Sequence, residues 1–293
     1  MKEIEYLTTA DNTQQPAIFH DPEKSQPSPL LVALHTWSSD YRNDYNSASA
    51  QWCVQKGWAY IHPDFRGPNK RPEATGSELV IKDIVSAVDY ARQTVNIDTS
   101  RIYLIGASGG GYTALLMAGR QPEIWAAVSA WVPISDLRQW YFQCKLAQRG
   151  YYKDIAASCG GAPGDSDAVD LQYRDRSPVT WLAAARNVPL DINAGITDGH
   201  SGSVPISHSL EAFNTLASPA DRITPTEIKY FVDCAAVPVH LQKPVSDPDY
   251  GDNPPLFRRS SGNARVTIFQ GGHEIIAQAA LTWLQKHRKN KSL

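Results

Sequence analysis

The feature of the sequence with the clearest chemical meaning is a serine flanked by glycines, Gly106-Ala107-Ser108-Gly109-Gly110. An apolar run over residues 101–105 precedes it and an alanine- and leucine-rich run follows it, which predicts a strand, a sharp turn and a helix. In that setting the pattern is typical of a nucleophilic serine, since glycine avoids the clashes that a Cβ makes at a tight turn. A dinucleotide-binding or P-loop motif is excluded because the required glycine and Gly-Lys-Ser/Thr are absent. The alternative is an ordinary glycine-rich turn.

A serine nucleophile needs a general base and a group that orients the base. Asp198 follows a predicted strand over residues 189–194, and His273 follows one over residues 265–269. Carboxyl ends of parallel strands meet at one edge of a sheet, where such folds place their ligands. The order serine, acid, histidine therefore predicts a catalytic triad of Ser108, Asp198 and His273. Taken singly, Asp198 could be a turn aspartate and His273 a capping or surface histidine.

Acyl transfer also needs hydrogen-bond donors at the developing oxyanion. The N–H of Gly109, directly after the serine, is predicted to be the first donor. The second is expected from the loop that follows a predicted strand over residues 30–35, at Trp37 or, as the alternative, at Thr36.

The elements that must position these residues alternate between strands and helices. An N-terminal antiparallel hairpin is expected over residues 3–20, and further strands over residues 30–35, 58–62, 126–130, 189–194 and 265–269. Helices are expected over residues 45–56, 77–95, 205–217 and 275–289, with another beginning at Thr224. This alternation predicts one α/β domain over residues 1–293, with a mostly parallel central sheet and helices on both faces. Residues 131–188 are interpreted as a helical cap insertion, and residues 237–263 as a long proline-rich loop near the active-site face.

Composition and cysteine spacing exclude several classes of partner and cofactor. The 293-residue chain has a formal net charge of −2 and no apolar run long enough to span a bilayer, so neither nucleic acid nor a membrane is expected as a partner. The N-terminus lacks the features of a signal peptide, which indicates a cytoplasmic protein, or a secreted or periplasmic one if such a peptide was trimmed. No cofactor or metal is expected, because the cysteines lack metal spacing and His200 and His208 lack a third ligand. Four cysteines are interpreted as free thiols, with a Cys144–Cys159 disulfide as the alternative: Cys53, Cys144, Cys159 and Cys234.

These motifs together resemble the α/β-hydrolase superfamily over nearly the whole chain. Leu34-His35-Thr36-Trp37 is similar to the His-Gly oxyanion loop, with Thr36 where glycine is usual. Further segments are similar to the prolyl-oligopeptidase-like branch: Pro63-Asp64-Phe65-Arg66-Gly67, Ser177-Pro178, Val204-Pro205 and Gly271-Gly272-His273-Glu274. The resemblance implies an α/β-hydrolase fold and an acyl-enzyme mechanism. The branch includes peptidases, acylaminoacyl hydrolases and carbohydrate esterases.

Within that branch the sequence favours an esterase. Peptidases of the branch usually carry an N-terminal β-propeller, whereas the catalytic domain here is expected to begin close to the first residue. We therefore expect hydrolysis of carboxylic esters, with acetyl or methyl esters on plant polysaccharides or oligosaccharides as the substrates. The alternatives are a peptidase or aminoacyl hydrolase, in which an acidic pair from Glu73, Glu78 and Asp136 would hold a substrate amine, and a non-catalytic binding module.

Two groups of side chains are predicted to contact a saccharide ester. Aromatic faces suit sugar rings, which points to Trp131, Trp140 and Tyr141 near the mouth of the site. A uronic acid carboxylate would pair with the guanidinium groups of Arg66, Arg258 and Arg259. The alternatives are core or cap packing for the aromatic residues and solvated loop charges for the arginines.

Overall fold

The fold is built on one nine-stranded sheet within residues 1–289, the part of the chain that the computed structural model describes. The strands are β1 (Lys2–Leu7), β2 (Gln14–His20), β3 (Ser28–Leu34), β4 (Ala59–Pro63), β5 (Ile97–Ala107), β6 (Ala127–Trp131), β7 (Leu190–Gly195), β8 (Pro255–Ser261) and β9 (Ala264–Phe269). Their order across the sheet is β1-β2-β4-β3-β5-β6-β7-β9-β8. The six strands from β4 to β9 in that order are parallel, while β1, β2 and β8 run antiparallel at the two edges.

Helices cover both faces of this sheet. They are α1 (Ser47–Lys56), α2 (Glu78–Thr94), α3 (Gly109–Arg120), α4 (Leu137–Leu146), α5 (Tyr151–Cys159), α6 (Asp167–Asp175), α7 (Ser207–Leu216), α8 (Pro225–Cys234) and α9 (Ala277–Leu284). Two hydrophobic clusters lie on opposite sides, one packed by α2, α3, α7 and the helices of residues 137–175, the other by α1 and α9. The predicted α/β fold, with a mostly parallel sheet between helices, is confirmed.

Strand β3 shows how one stretch of sequence serves both layers. All seven of its residues are buried. Leu30, Val32 and Leu34 face the first cluster, while Leu31 and Ala33 face the second, because successive side chains of a strand point to opposite faces. A continuous apolar run is therefore what a central strand between two helical layers requires.

The sequence prediction was wrong at two C-terminal elements. Residues 237–263 are not one long loop, since β8 pairs antiparallel with β9 and two short 3₁₀ helices, Val239–Leu241 and Pro248–Tyr250, precede it. Pro255 is the first residue of β8 and Pro254 directly precedes it, and an edge strand tolerates proline there. The last helix, predicted over residues 275–289, is confined to Ala277–Leu284. Within residues 1–289, none of the helices has the length and apolar character needed to cross a membrane.

Candidate active site

The predicted nucleophile lies in a strained turn between β5 and α3. Ser108 has φ 56° and ψ −121°, a left-handed conformation that a non-glycine residue rarely adopts. Its N–H donates to the carbonyl oxygen of Trp131 on the neighbouring strand, at 2.9 Å. A Cβ at Gly106 would come within 2.2 Å of the Gly110 carbonyl oxygen, so the flanking glycines are sterically required. The strain is held by backbone contacts on both sides of the serine.

The loops after β7 and β9 bring the acid and the histidine to this serine. His273 Nε2 lies 2.8 Å from Ser108 Oγ, and His273 Nδ1 lies 2.7 Å from Asp198 Oδ2. Asp198 is buried, and its other oxygen accepts hydrogen bonds from the backbone N–H groups of Gly199 and Val204 at 2.9 and 3.2 Å. A carboxylate only accepts, so Nδ1 carries the proton and Nε2 is free to accept from the serine hydroxyl. The geometry is that of a serine nucleophile with its base and orienting acid.

Two backbone N–H groups lie beside the serine. A Cβ added to Gly109 would come within 2.3 Å of the Trp37 nitrogen, so the backbone of Gly109 and the amide of Trp37 are direct neighbours. Neither N–H donates a hydrogen bond to another group in residues 1–289. Gly109 is also the first residue of α3, where free N–H groups and the helix dipole favour an anion. The pair can bind the oxyanion of a tetrahedral intermediate.

His35 packs beside the loop that carries the second donor. Its ring is buried, stacks on Phe65 at 3.8 Å between centroids, and places Nδ1 2.9 Å from the Thr36 carbonyl oxygen. Burial lowers the pKa of His35, and the neutral ring carries one N–H, so His35 donates to one of the two carbonyl oxygens it faces, that of Thr36 or that of Asp64, which lies 2.7 Å from Nε2. The ring therefore lies between the loop of the second donor and the loop after β4.

The wall next to the oxyanion donors is aromatic and comes from the cap helices. Trp37 packs edge-on against Trp140 at 4.7 Å, and Trp140 stacks on Tyr151 at 5.1 Å. The Trp37 indole N–H donates to Asp154 Oδ2 at 3.3 Å. Trp140 is thus near the site, as a buried packing residue whose indole N–H binds the Ser203 carbonyl oxygen at 3.1 Å.

The other two predicted saccharide contacts lie in packed interiors, so that prediction was wrong for them. Trp131 faces the second hydrophobic cluster, and its indole N–H donates to Ser129 Oγ at 2.8 Å. Tyr141 is buried inside the cap, where it packs against Tyr152 and Tyr173. Core and cap packing, the alternative, accounts for both.

The three arginines predicted to bind a uronic acid are engaged within the protein. Arg66 pairs with Asp83 and Asp11, at 2.6 and 2.7 Å. On the edge strand, Arg258 donates to the Asp247 carboxylate at 2.8 Å. Arg259 donates to the carbonyl oxygen of Arg222 at 3.2 Å. Their hydrogen-bonding groups are used for structure, and the predicted substrate role was wrong.

Removing Arg66 is expected to destabilise the fold. The Asp83 side chain is fully buried and Arg66 is its cationic partner, so Arg66→Met leaves a buried carboxylate unpaired. A loss of about 3–5 kcal/mol in the free energy of unfolding is expected, measured by urea denaturation. Arg42→Met is the matched control, because Arg42 pairs with Glu3 where both side chains are exposed, and it should cost less than about 1 kcal/mol. Equal, small losses in the two variants would contradict the prediction.

The loss in the free energy of unfolding caused by Arg66→Met should depend on pH. Burial raises the pKa of Asp83, and the Arg66 guanidinium opposes that rise. Without Arg66, the pKa of Asp83 in the folded protein lies further above that of the unfolded chain. The folded variant then holds a proton that the unfolded chain releases, so its free energy of unfolding falls as pH rises. The loss relative to wild type should be larger at about pH 8 than at about pH 5.

Most of the remaining candidates for other roles are engaged within the protein. Glu78 pairs with Arg120 and Asp136 caps α4, whereas the exposed Glu73 side chain has no partner within residues 1–289, so no pair of these three acids is left for a substrate amine. His200 contacts the Val232 carbonyl oxygen, and His208 lies between Gln143 and Ser135. Within residues 1–289, no group of three or more His, Cys, Asp or Glu residues could hold a metal ion. All four cysteines are free thiols, and Cys234 alone among them is exposed.

Sequence reasoning missed three residues around the site. Asp154 holds the Trp37 indole, Arg149 donates to the Gly202 carbonyl oxygen, and Ser203 Oγ lies 3.4 Å from His273 Nε2. Ser203 directly precedes Val204-Pro205, which was a usable signal. Asp154, in α5, and Arg149, between α4 and α5, had no such signal, because their contacts with the site depend on how these helices pack.

Comparison with known proteins places this geometry in a family. The profile of the prolyl oligopeptidase family matches residues 43–233. Acylamino-acid-releasing enzyme 1 of Oryza sativa subsp. japonica is 24% identical over 226 residues, covering 71% of this chain and 28% of the relative. Feruloyl esterase B of Neurospora crassa is 24% identical over 177 residues, covering 57% of this chain and 54% of the relative.

A solved structure supports the fold. The acylaminoacyl peptidase of Pyrococcus horikoshii superposes with a TM-score of 0.58 at 20% identity, covering 73% of this chain and 34% of that chain. This chain therefore matches only the smaller part of the acylaminoacyl enzymes. The profile match covers well over half of the sequence, and the chain belongs to the prolyl oligopeptidase family as a serine hydrolase with an α/β-hydrolase fold.

Proposed function

We propose that this chain hydrolyses carboxylic esters through an acyl-enzyme formed on Ser108. The observation that carries the proposal is the hydrogen-bonded series Ser108–His273–Asp198 beside the N–H groups of Gly109 and Trp37. Such a series activates a hydroxyl that is otherwise a weak nucleophile. The two N–H groups stabilise the charge that develops on the carbonyl oxygen.

The mechanism follows from these positions. Ser108 Oγ attacks the ester carbonyl carbon while its proton passes to His273 Nε2, and Asp198 stabilises the resulting imidazolium. The oxyanion accepts hydrogen bonds from Gly109 and Trp37 until the leaving alcohol departs with the proton held by His273. Water then attacks the acyl-enzyme by the same route in reverse, releasing the acid.

The acyl side of the substrate is proposed to be uncharged. Glu78 and Asp136 are engaged elsewhere, which leaves Glu73 alone of the three candidate acids, and the carboxylate of Asp154 faces the Trp37 indole, so these acids supply no pair to hold an amine. A small ester of a saccharide, with an acetyl or methyl group, remains the proposed substrate class. Its support is now the relative named feruloyl esterase B, since the predicted aromatic and arginine contacts have structural roles.

A second candidate is the release of acylated amino acids. Four relatives carry the name acylamino-acid-releasing enzyme, with identities from 23% to 26% over 60% to 71% of this chain. An N-acylated substrate also presents no free amine. The same triad would cleave its amide bond, with His273 protonating the leaving nitrogen.

A matched substrate panel separates the two candidates. We expect wild type to release acetate or methanol from acetylated xylan or methyl-esterified pectin faster than nitroaniline from an N-acetylalanine nitroanilide. Activity on p-nitrophenyl acetate reports the triad for either class, and Ser108→Ala reports the non-enzymatic background. Ser108-dependent cleavage of the anilide alone would replace the ester proposal by the acylaminoacyl one.

A further inference from the structure

We infer that the Ser203 hydroxyl binds the oxygen that leaves during acylation and the water that enters during deacylation. The inference rests on the acyl-enzyme mechanism proposed above. It assigns to Ser203 a contact with reacting atoms, separate from the nucleophile, the base, the acid and the two oxyanion donors.

The first observation is the position of the hydroxyl at the base. His273 Nε2 lies between two serine oxygens, Ser108 Oγ at 2.8 Å and Ser203 Oγ at 3.4 Å. With Nδ1 protonated toward Asp198, Nε2 has one lone pair, and the shorter contact to Ser108 takes it. Ser203 Oγ has no other hydrogen-bond partner in residues 1–289. Its hydroxyl is therefore left with hydrogen-bonding capacity at the point where protons are exchanged.

The second observation is that the backbone around Ser203 is fixed from three directions. The Trp140 indole N–H holds the Ser203 carbonyl oxygen, the Val204 N–H binds Asp198 Oδ1, and the Arg149 guanidinium donates to the Gly202 carbonyl oxygen. A Cβ at Gly202 would lie 2.0 Å from Asp198 Oδ1 and 2.6 Å from His273 Cβ. This segment therefore lies directly against the acid–histidine pair, and the backbone that carries the hydroxyl is held in place.

The chemistry requires an oxygen at this position in both half-reactions. In acylation, Nε2–H gives its proton to the leaving alcohol oxygen as the bond from that oxygen to the acyl carbon breaks. In deacylation, a water oxygen forms a bond to the acyl carbon and its proton passes to Nε2; the bond to Ser108 Oγ then breaks, and Oγ takes that proton back. Because the second step is the reverse of the first, with water replacing alcohol, both oxygens occupy one place beside Nε2. Ser203 Oγ lies beside Nε2 and supplies a second hydrogen bond to either oxygen.

The test compares Ser203→Ala with Ser203→Thr, which keeps the hydroxyl, and with Ser201→Ala, an exposed serine of the same loop whose hydroxyl contacts Thr197. The probe is p-nitrophenyl acetate, an activated ester whose turnover is limited by deacylation and whose leaving oxygen takes no proton from Nε2 and so does not need the place beside it. For Ser203→Ala we expect kcat and KM to fall together by about tenfold, the effect of one lost hydrogen bond to a reacting group, with kcat/KM unchanged. Because deacylation is slow, the first turnover should also release a burst of nitrophenolate whose molar amount equals that of the enzyme. For an alkyl acetate, whose leaving group needs a proton, kcat/KM should fall by a similar factor.

Other outcomes would overturn the inference. An unchanged kcat in Ser203→Ala, or an equal fall of kcat and kcat/KM on p-nitrophenyl acetate, would give Ser203 a merely structural role or none. Failure of Ser203→Thr to restore the wild-type values would do the same. If Ser203→Ala does not fold, Ser203→Gly provides a second variant without the hydroxyl. The same changes in kcat, KM and kcat/KM relative to wild type are then expected of it. Failure of the ester proposal is seen separately, because this activated ester acylates a working triad whatever the natural substrate is.

Discussion

Replacing Ser108 with alanine should reduce kcat by about a millionfold while leaving the fold intact. The substitution removes the oxygen that attacks the carbonyl carbon in the proposed mechanism, and in serine hydrolases with such a triad losing the nucleophile costs about as much as losing the whole triad. The fold should persist because the only described hydrogen bond of Ser108 Oγ is to His273. Alanine also faces the same left-handed backbone conformation as serine, so the strain at φ 56° is unchanged.

The measurement is turnover of p-nitrophenyl acetate by wild type and variant, with thermal unfolding recorded alongside. Ser201→Ala serves as the matched control, since it removes an exposed serine hydroxyl close to the site, and its activity should equal that of wild type. A fluorophosphonate reagent, which reacts with activated serines, should label wild type and not Ser108→Ala. Activity near the wild-type level in Ser108→Ala would remove this serine from the chemistry.

The sequence predicted the site best where local pattern and topology agree. The turn at Ser108 has its own signature, because glycine at Gly106 is required by the backbone of Gly110. Asp198 and His273 could be found because each follows a buried strand, and parallel strands end at the same edge of a sheet. These relations depend on chain order and strand direction, both of which can be read from one sequence.

The residues that sequence reasoning placed wrongly depend on partners far along the chain. Arg66 is satisfied by Asp83 and Asp11, which are 17 and 55 residues away, and nothing local identifies either as its partner. An arginine without a visible partner was interpreted as a substrate ligand. The predicted saccharide contact of Tyr141 was wrong for a similar reason. Helices packed on one another bury side chains such as Tyr141 that an isolated helix would expose.

Trp131 was misplaced for a different reason, which is the face of its strand. Side chains of a strand alternate between faces, so Trp131 shares a face of β6 with Ser129. That face is covered by the cluster with α1 and α9. Proximity to the nucleophile is real for the backbone of Trp131, whose carbonyl oxygen binds the Ser108 N–H, and does not extend to its indole.

Asp198→Asn should lower kcat by about ten-thousandfold although the substitution keeps the shape of the side chain. Asp198 Oδ1 accepts two backbone N–H groups, from Gly199 and Val204, while Oδ2 accepts His273 Nδ1–H. An asparagine amide in this place must direct its oxygen at the two N–H donors, because its NH₂ group cannot accept from them. The NH₂ group then faces Nδ1.

A donor at Nδ1 reverses the tautomer of the neutral histidine. Nδ1 must accept, so the proton moves to Nε2, and Nε2 can no longer take the proton of Ser108. Nitrogen NMR of His273 should show the protonated nitrogen change from Nδ1 to Nε2, together with the fall in kcat. Asp233→Asn, at an exposed aspartate that pairs with Lys229, is the control and should change neither quantity. A fall in activity without a change of tautomer would assign Asp198 an electrostatic role alone, whereas unchanged activity would remove it from the triad.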